Sequence, residues 1–229
     1  MIDIHTHVLA AVDDGSNDFA QSLEMLVQSE KIGITDVVLT PHFRGAYAVE
    51  SQKLLECFNK FKQEVARAGL STNLYLGQEI FCTNSIKKLL KEGRVLCMNN
   101  TKYILVEFDY AYKQDIPEMV YELCREGYIP IVAHFERYSY ADFNMAIEIK
   151  QSGGLIQLNA QSVLGKSGLR LSRLAKKLLK KGLVDFIASD IHSARTNYMK
   201  EAYEKVSKKF GKEMAQAIFN ENAKDIIKG

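Results

Sequence analysis

What most constrains this chain is a rhythm. Short apolar runs alternate with longer stretches of helical periodicity along the whole sequence. Seven runs read as strands: Ile2–Ile4, Asp36–Thr40, Asn73–Gly77, Tyr103–Phe108, Ile129–Ala133, Leu155–Leu158 and Phe186–Ser189. Several are nearly continuous in apolar residues, the pattern of parallel strands covered on both faces. Between them, Asp18–Lys31 reads as a helix with Ser16 as N-cap and Gly33 as its stop. Gln52–Ala68, Ile116–Glu126, Ala141–Gln151 and Leu171–Lys181 read as helices that stop at Gly69, Gly127, Gly153 and Gly182. Pro117 sits in the first turn of one of them, where its missing N–H costs nothing. The last stretch, Tyr198–Lys228, reads as two helices around Gly211. Repeated strand–helix units predict an α/β fold, and closing seven parallel strands makes a (β/α)7 barrel, a distant version of the TIM barrel. The whole chain, residues 1–229, reads as one domain. An open doubly wound sheet is the alternative. It would want a glycine-rich phosphate loop, and neither G-x-G-x-x-G nor a Walker-type loop occurs.

Composition excludes several functional classes. A net charge of +2 gives no strong pull toward nucleic acid or a membrane surface. The run Lys176, Lys177, Lys180, Lys181 lies on a predicted helix and reads as a solvated face. No apolar run approaches the ~18 residues of a membrane span, and no signal pattern opens the chain, so a cytoplasmic protein is expected. The four cysteines, Cys57, Cys82, Cys97 and Cys124, match no zinc or disulfide framework, which suits a reducing compartment. None begins a C-x5-R loop, which argues against a cysteine-nucleophile phosphatase.

The histidines are more telling. The chain has only five, and all fall at the ends of apolar runs. His5 and His7 form an H-x-H pair, and a spacing of two puts both on one face of an extended chain. His42 follows the second run, His134 closes the fifth, and His192 closes the seventh with Asp190. Glu79 follows the third run and Glu107 interrupts the fourth, where a buried carboxylate is costly unless paired or metal-bound. Asp14, in the loop after the first strand, can reach the same place. Its neighbour Asp13 reads as part of a solvated turn before Gly15. In a parallel barrel all carboxyl ends of strands open on one rim. Nine nitrogen and oxygen donors on one rim imply two or three divalent ions. The absence of sulfur suits zinc, manganese or iron. Arg137, three residues after His134, belongs to the same rim; a surface ion pair with Glu136 is its competing role.

The motifs MIDIHTHVLAAVDDG, TPHFRG, GQEIF, LVEF, VAHFERY and ASDIHSAR resemble the PHP (polymerase and histidinol phosphatase) superfamily. More closely they resemble the bacterial tyrosine-protein phosphatases of the CpsB/YwqE type. The motifs run in order from residue 1 to about residue 200. The resemblance implies a distorted seven-stranded β/α barrel of the PHP type holding up to three divalent metals, often manganese. The family's ligand positions fall on His5, His7, Asp14, His42, Glu79, Glu107, His134, Asp190 and His192, with Glu79 bridging two ions. Its phosphate-binding arginines match Arg137 and Arg195, although the link that carries Arg195 is short here (SARTNYM). Many relatives have a second histidine after His42; this chain has Phe43 and then Arg44. The implied reaction is hydrolysis of phosphotyrosine on a bacterial tyrosine kinase that governs capsule or exopolysaccharide export. Tyr47, Tyr110, Tyr112 and Tyr138 are candidate stacking surfaces at the rim.

Other readings share parts of the pattern. A small-molecule phosphatase of the histidinol-phosphate type would use the same metal core. An amidohydrolase-like enzyme also uses H-x-H on a barrel, but it usually places a lysine at a middle strand end, and none stands there. A metal-dependent binding module without turnover is the non-enzymatic alternative, and the complete donor set counts against it. A proofreading exonuclease is disfavoured by the near-neutral charge and the lack of basic residues interleaved with aromatics.

Overall fold

The apolar runs do form strands, and every strand pairs in parallel with its neighbours. The computed structural model describes residues 1–193 and 196–228. The strands are β1 (Ile2–Thr6), β2 (Asp36–Leu39), β3 (His42–Phe43), β4 (Asn73–Leu76), β5 (Glu79–Phe81), β6 (Tyr103–Glu107), β7 (Ile129–Val132), β8 (Leu155–Asn159) and β9 (Phe186–Ala188). The helices are α1 (Phe19–Lys31), α2 (Ser51–Arg67), α3 (Ile86–Lys91), α4 (Ile116–Arg125), α5 (Phe143–Gln151), α6 (Ala160–Leu164), α7 (Leu169–Lys180), α8 (Met199–Phe210), α9 (Lys212–Phe219) and α10 (Lys224–Lys228).

Two of the seven predicted strands continue past a break. The second stops at Leu39, steps through Thr40 and Pro41, and resumes as β3. The third stops at Leu76, steps through Gly77 and Gln78, and resumes as β5. The ladder β1-β2-β4 therefore hands over to β3-β5-β6-β7-β8-β9. Gly77 N donates to Leu39 O at 2.9 Å and Glu79 N to Pro41 O at 3.1 Å, so the handover stays hydrogen-bonded. Around the sheet the order is the chain order, and it curls back on itself. Asp190 N donates to His5 O (3.0 Å), His7 N donates to Ile191 O (3.1 Å), and Thr6 bridges Ile191 in parallel. The result is an α/β barrel, as the rhythm implied, and the two steps give it the distorted form that the family resemblance implied.

Strand alternation divides the apolar residues between two cores. Val37, Leu39, Ile104, Val106 and Val132 face the surrounding helices. Ile4, Val38, Leu105, Ile131 and Ala188 face inward and fill the barrel. Ile226 of α10 joins that inner cluster, and Asn99 Nδ2 donates to Ile226 O at 3.0 Å, so the last helix plugs one end. The other end, at the strands' carboxyl termini, is polar.

Some local expectations need correction. The N-cap of α1 is Asp18, whose carboxylate accepts from Gln21 N; Ser16 instead donates its hydroxyl to Asp18 O. Both are good capping types, so type alone could not choose between them. The C-terminal stretch holds three helices, because Asn220 breaks the second of the two expected ones. Among the described residues no helix is long and apolar enough to cross a membrane.

Candidate metal centre

The polar end of the barrel is built from strand ends. β1 delivers His5 and His7, both fully buried. Their outer nitrogens are occupied: His7 Nδ1 donates to Asp13 Oδ2 at 2.6 Å, and His5 Nδ1 donates to Gln157 Oε1 at 3.1 Å. Each Nε2 is thereby turned toward the centre, and the two Nε2 atoms lie 3.2 Å apart. His192 follows the same scheme, with Nδ1 held by Asp190 O at 3.1 Å. Hydrogen bonds of this kind fix tautomer and ring orientation before any ligand arrives.

Glu79, at the start of β5, occupies the centre. Its Oε1 lies 2.7 Å from His134 Nε2 and 3.4 Å from His5 Nε2. Its Oε2 lies 2.7 Å from His42 Nδ1 and 3.4 Å from His7 Nε2. The two oxygens of one carboxylate thus face different sets of imidazoles. Four groups of donor atoms gather around them: His7, Asp14, His42 and His192; His5, His7 and Asp190; His5, Glu79 and His134; His42, Glu79 and Glu107. All nine of the expected ligands fall into these groups. His134 and Asp190 hold left-handed backbone conformations (φ 31° and 49°), strain that their carbonyl and amide bonds hold in place at the strand ends.

The donors fit divalent cations on the structure's own terms. His42 Nδ1 and Glu79 Oε2 are 2.7 Å apart and buried, yet they are misaligned for a hydrogen bond and have no other partner. A bound cation would give both atoms a partner. The rings of His7 and His192 stack at 3.9 Å between centroids, an arrangement that two protonated imidazoles would resist. Burial would push Glu79 up, but His5, His134 and His42 outweigh it and hold the carboxyl well below the usual range. Burial and His7 together lower His192 to about 4, which keeps its ring neutral and available. Despite their burial, His5, His7 and His42 are raised by the carboxylates that face them, so without an ion these rings favour protons that a bound cation would displace.

Above the donors opens a cavity of about 560 Å³, large enough for a phosphorylated aromatic side chain. Arg44 and Arg137 both line it. Arg137 Nη1 donates to Asp190 Oδ2 at 3.1 Å and its guanidinium lies over the Tyr110 ring at 4.5 Å. Arg44 Nη1 donates to Glu107 Oε2 at 3.2 Å. Tyr110 OH donates to the other oxygen of Glu107 at 2.8 Å. The competing surface pair between Arg137 and Glu136 does not form: Glu136 is buried and accepts from Asn159 N at 3.0 Å. Arg195 lies outside the described residues.

Several contributors had no signal of their own in the sequence. Asp13 is not a solvated turn residue. Its carboxylate is buried, and besides His7 it accepts from Gly15 N (3.0 Å) and His42 N (3.0 Å). Gly15 makes this possible, because a Cβ there would collide with the His7 carbonyl and Cβ. Gln157 accepts from both His5 and His134 N (2.7 Å). Arg170 donates to the carbonyls of Glu136, Arg137 and Tyr138, clamping the turn that carries Arg137. Of the four rim tyrosines, Tyr138 is no stacking surface. It is fully buried, and its hydroxyl bridges Ala133 O and Phe108 N. Tyr112 is exposed, Tyr47 stacks toward His42 at 6.4 Å, and Tyr110 alone lines the cavity. Replacing Asp13 by alanine should weaken metal binding about 10- to 100-fold. Titration calorimetry on folded variant would measure it, and unchanged affinity would show that Asp13 orients nothing.

The chain is similar to known proteins over its full length. The family model for capsular polysaccharide synthesis proteins CpsB/CapC matches residues 1–228. Tyrosine-protein phosphatase YwqE of Bacillus subtilis (strain 168) is 32% identical over 234 residues, covering 100% of this chain and 92% of YwqE. Tyrosine-protein phosphatase CpsB of Streptococcus agalactiae is 31% identical over 240 residues, covering 100% of this chain and 98% of CpsB. A crystal structure from work on YwqE of Bacillus subtilis and CpsB of Streptococcus pneumoniae, described as metal-dependent tyrosine phosphatases, superposes with a TM-score of 0.88. It is 31% identical and covers 94% of this chain and 90% of that one.

Proposed function

The chain belongs to the CpsB/CapC family of capsular polysaccharide synthesis proteins, and from that premise we propose that it is a metal-dependent protein-tyrosine phosphatase. One observation carries the reading: nine imidazole and carboxylate donors from separate strand ends meet under a cavity edged by two guanidinium groups. The substrate is phosphotyrosine on a bacterial tyrosine kinase that controls capsule or exopolysaccharide synthesis. His5, His7, Asp14, His42, Glu79, Glu107, His134, Asp190 and His192 hold two or three divalent ions, manganese first, with iron or zinc compatible with the same donors. A cytoplasmic location accords with the four free cysteines.

When bound, such ions supply a water of lowered pKa as nucleophile and neutralise charge on the phosphoryl oxygens. The protein's own groups do the rest. Arg137 presents a planar fork of donors at the cavity wall, suited to two phosphoryl oxygens at once. Arg44 offers a second fork across from the donors, and Arg195 is a further clamp by its motif. Tyr110 provides a flat wall for an aromatic leaving group, already faced by Arg137. Glu79, with one oxygen toward each imidazole set, would help to hold the ions and offset their charge. A phenolate leaves readily, so little general-acid help is required. Thiol chemistry is not used: burial pushes the Cys82 thiol up to about 12, and no cysteine lines the cavity.

A phosphotyrosine peptide should be hydrolysed with kcat/KM roughly 100-fold or more above that for histidinol phosphate. Single Cys→Ser variants should keep full activity. A reversed preference would move the enzyme to the small-molecule class, and loss of turnover in any Cys→Ser variant would reopen a thiol route.

A further inference from the structure

The chain's charge is unevenly distributed. Residues 166–212 contain 13 lysines and arginines against 4 aspartates and glutamates, whereas the rest contains 17 against 24. A net charge of +2 therefore hides a basic segment of +9 on an otherwise acidic body. The centre of that segment is α7, which has no acidic residue. Arg173, Lys176, Lys177 and Lys180 are all exposed and stand at i, i+3, i+4 and i+7, which makes one stripe along the helix. Like charges at these spacings weaken a helix, and nothing on α7 offsets them. Among the described residues, none of the cations of α7 or α8 forms an ion pair with a carboxylate. Lysines on other helices do pair, as in Lys87 with Glu122 and Lys91 with Glu126.

α8 widens the stripe. Lys176, Lys205 and Lys209 border a small depression between α7 and α8, floored by Val163, Leu179 and Phe210. The Lys205 ammonium donates to Leu164 O at 3.1 Å and is lowered first by burial, then by Lys209 and Lys176. The stripe also has a fixed relation to the centre. Ser167 and Leu171, at the amino end of α7, line the same cavity as Arg137. From there α7 runs on for about 18 Å, the length of a helix of 12 residues, and the stripe of cations occupies its last two turns, ending at Lys180. An extended peptide covers that distance with about five or six residues.

We propose that the α7–α8 face binds an acidic segment of the protein substrate, lying within about six residues of the phosphotyrosine that enters the cavity. The proposal rests on the phosphatase reading and adds to it a preference in sequence context. Unpaired surface cations steer and hold an anionic partner in a salt-dependent way. They would favour a tail carrying glutamates, aspartates or further phosphotyrosines over a neutral one.

The test uses the metal-loaded full chain and two phosphotyrosine peptides of equal length, one flanked by Asp and Glu, the other by Ser and Gly. The acidic peptide should show roughly tenfold lower KM at low salt, and the advantage should vanish at high ionic strength. The triple variant Lys176→Glu, Lys180→Glu, Lys209→Glu should lose the advantage with kcat unchanged, and the matching Lys→Arg triple should retain it. Turnover of p-nitrophenyl phosphate should be the same in all three proteins. Peptide binding by fluorescence anisotropy keeps the two ideas separable. Absence of p-nitrophenyl phosphate turnover in the unaltered protein would overturn the phosphatase reading, while binding would still report on the stripe. Equal binding of the two peptides, or charge-reversal that leaves the difference intact, would overturn the docking proposal. So would binding to phosphatidylserine vesicles that the triple variant abolishes, without discrimination between peptides; that result would assign the stripe to a membrane surface.

Discussion

Exhaustive chelation followed by dialysis abolishes turnover of a phosphotyrosine peptide, and added manganese restores it. This is the largest effect expected, because the chain offers no other means of activating a nucleophile. Among the described residues, no thiol, serine–histidine pair or free general base reaches the cavity except through groups that are themselves candidate ligands. The metal-free protein should remain folded, since its hydrophobic cores lie below and around the centre. It should nonetheless be less stable. A ligand at a hundredfold excess over its Kd contributes about 2.7 kcal/mol, which corresponds to roughly 5–10 °C in Tm for a chain of this size. Calorimetric melting with and without manganese, run beside the activity assay, checks both parts. Full turnover in excess chelator would sink the metal mechanism.

The second large effect belongs to Glu79. Glu79→Gln keeps the volume of the side chain and removes only its charge and one acceptor oxygen. Oε1 sits against His134 and His5, and Oε2 against His42 and His7. An amide can satisfy only one of these sets; its NH2 group would turn a donor toward the other. Its equal reach toward both imidazole sets would be lost, along with a negative charge at the centre of the cluster. A fall in kcat of about 1,000-fold or more is expected, in line with removal of a preorganised electrostatic group. Bound metal should drop by at least one ion per chain in mass-spectrometric metal analysis. Unimpaired turnover with a full metal complement would show that Glu79 is merely a neighbour of the site.

Much of this was legible in the sequence, for physical reasons that also explain what was not. Strand ends announce themselves, because an apolar run that stops at His, Glu or Asp is improbable without a use for the polar group. His5, His7, Glu79, Glu107 and His134 were readable on that basis alone. Asp13 reads wrongly as a solvated turn residue, because which of two adjacent carboxylates turns inward depends on how the loop folds over His7 at Gly15. Arg170 and Gln157 act on partners 23 to 152 residues away, and no local pattern encodes such contacts. The steps at Thr40–Pro41 and Gly77–Gln78 escaped because one or two residues do not disturb a period of two enough to be seen. α3 and α6 are too short, at 6 and 5 residues, to display a helical period at all. Arg44 was visible as a departure from a familiar motif, but only the fold places it in the cavity beside Glu107.

The way the barrel closes bears on when the protein becomes active. Its seam joins the first strand to the segment after the last, through His7 N to Ile191 O and Asp190 N to His5 O. The donors His5 and His7 stand on one side of that seam and Asp190 and His192 on the other. A chain emerging from the ribosome therefore displays His5, His7, His42, Glu79, Glu107 and His134 long before their last partners are synthesised. Until β9 docks against β1, one wall of the centre does not exist. Completion of the candidate centre therefore waits for this ring closure.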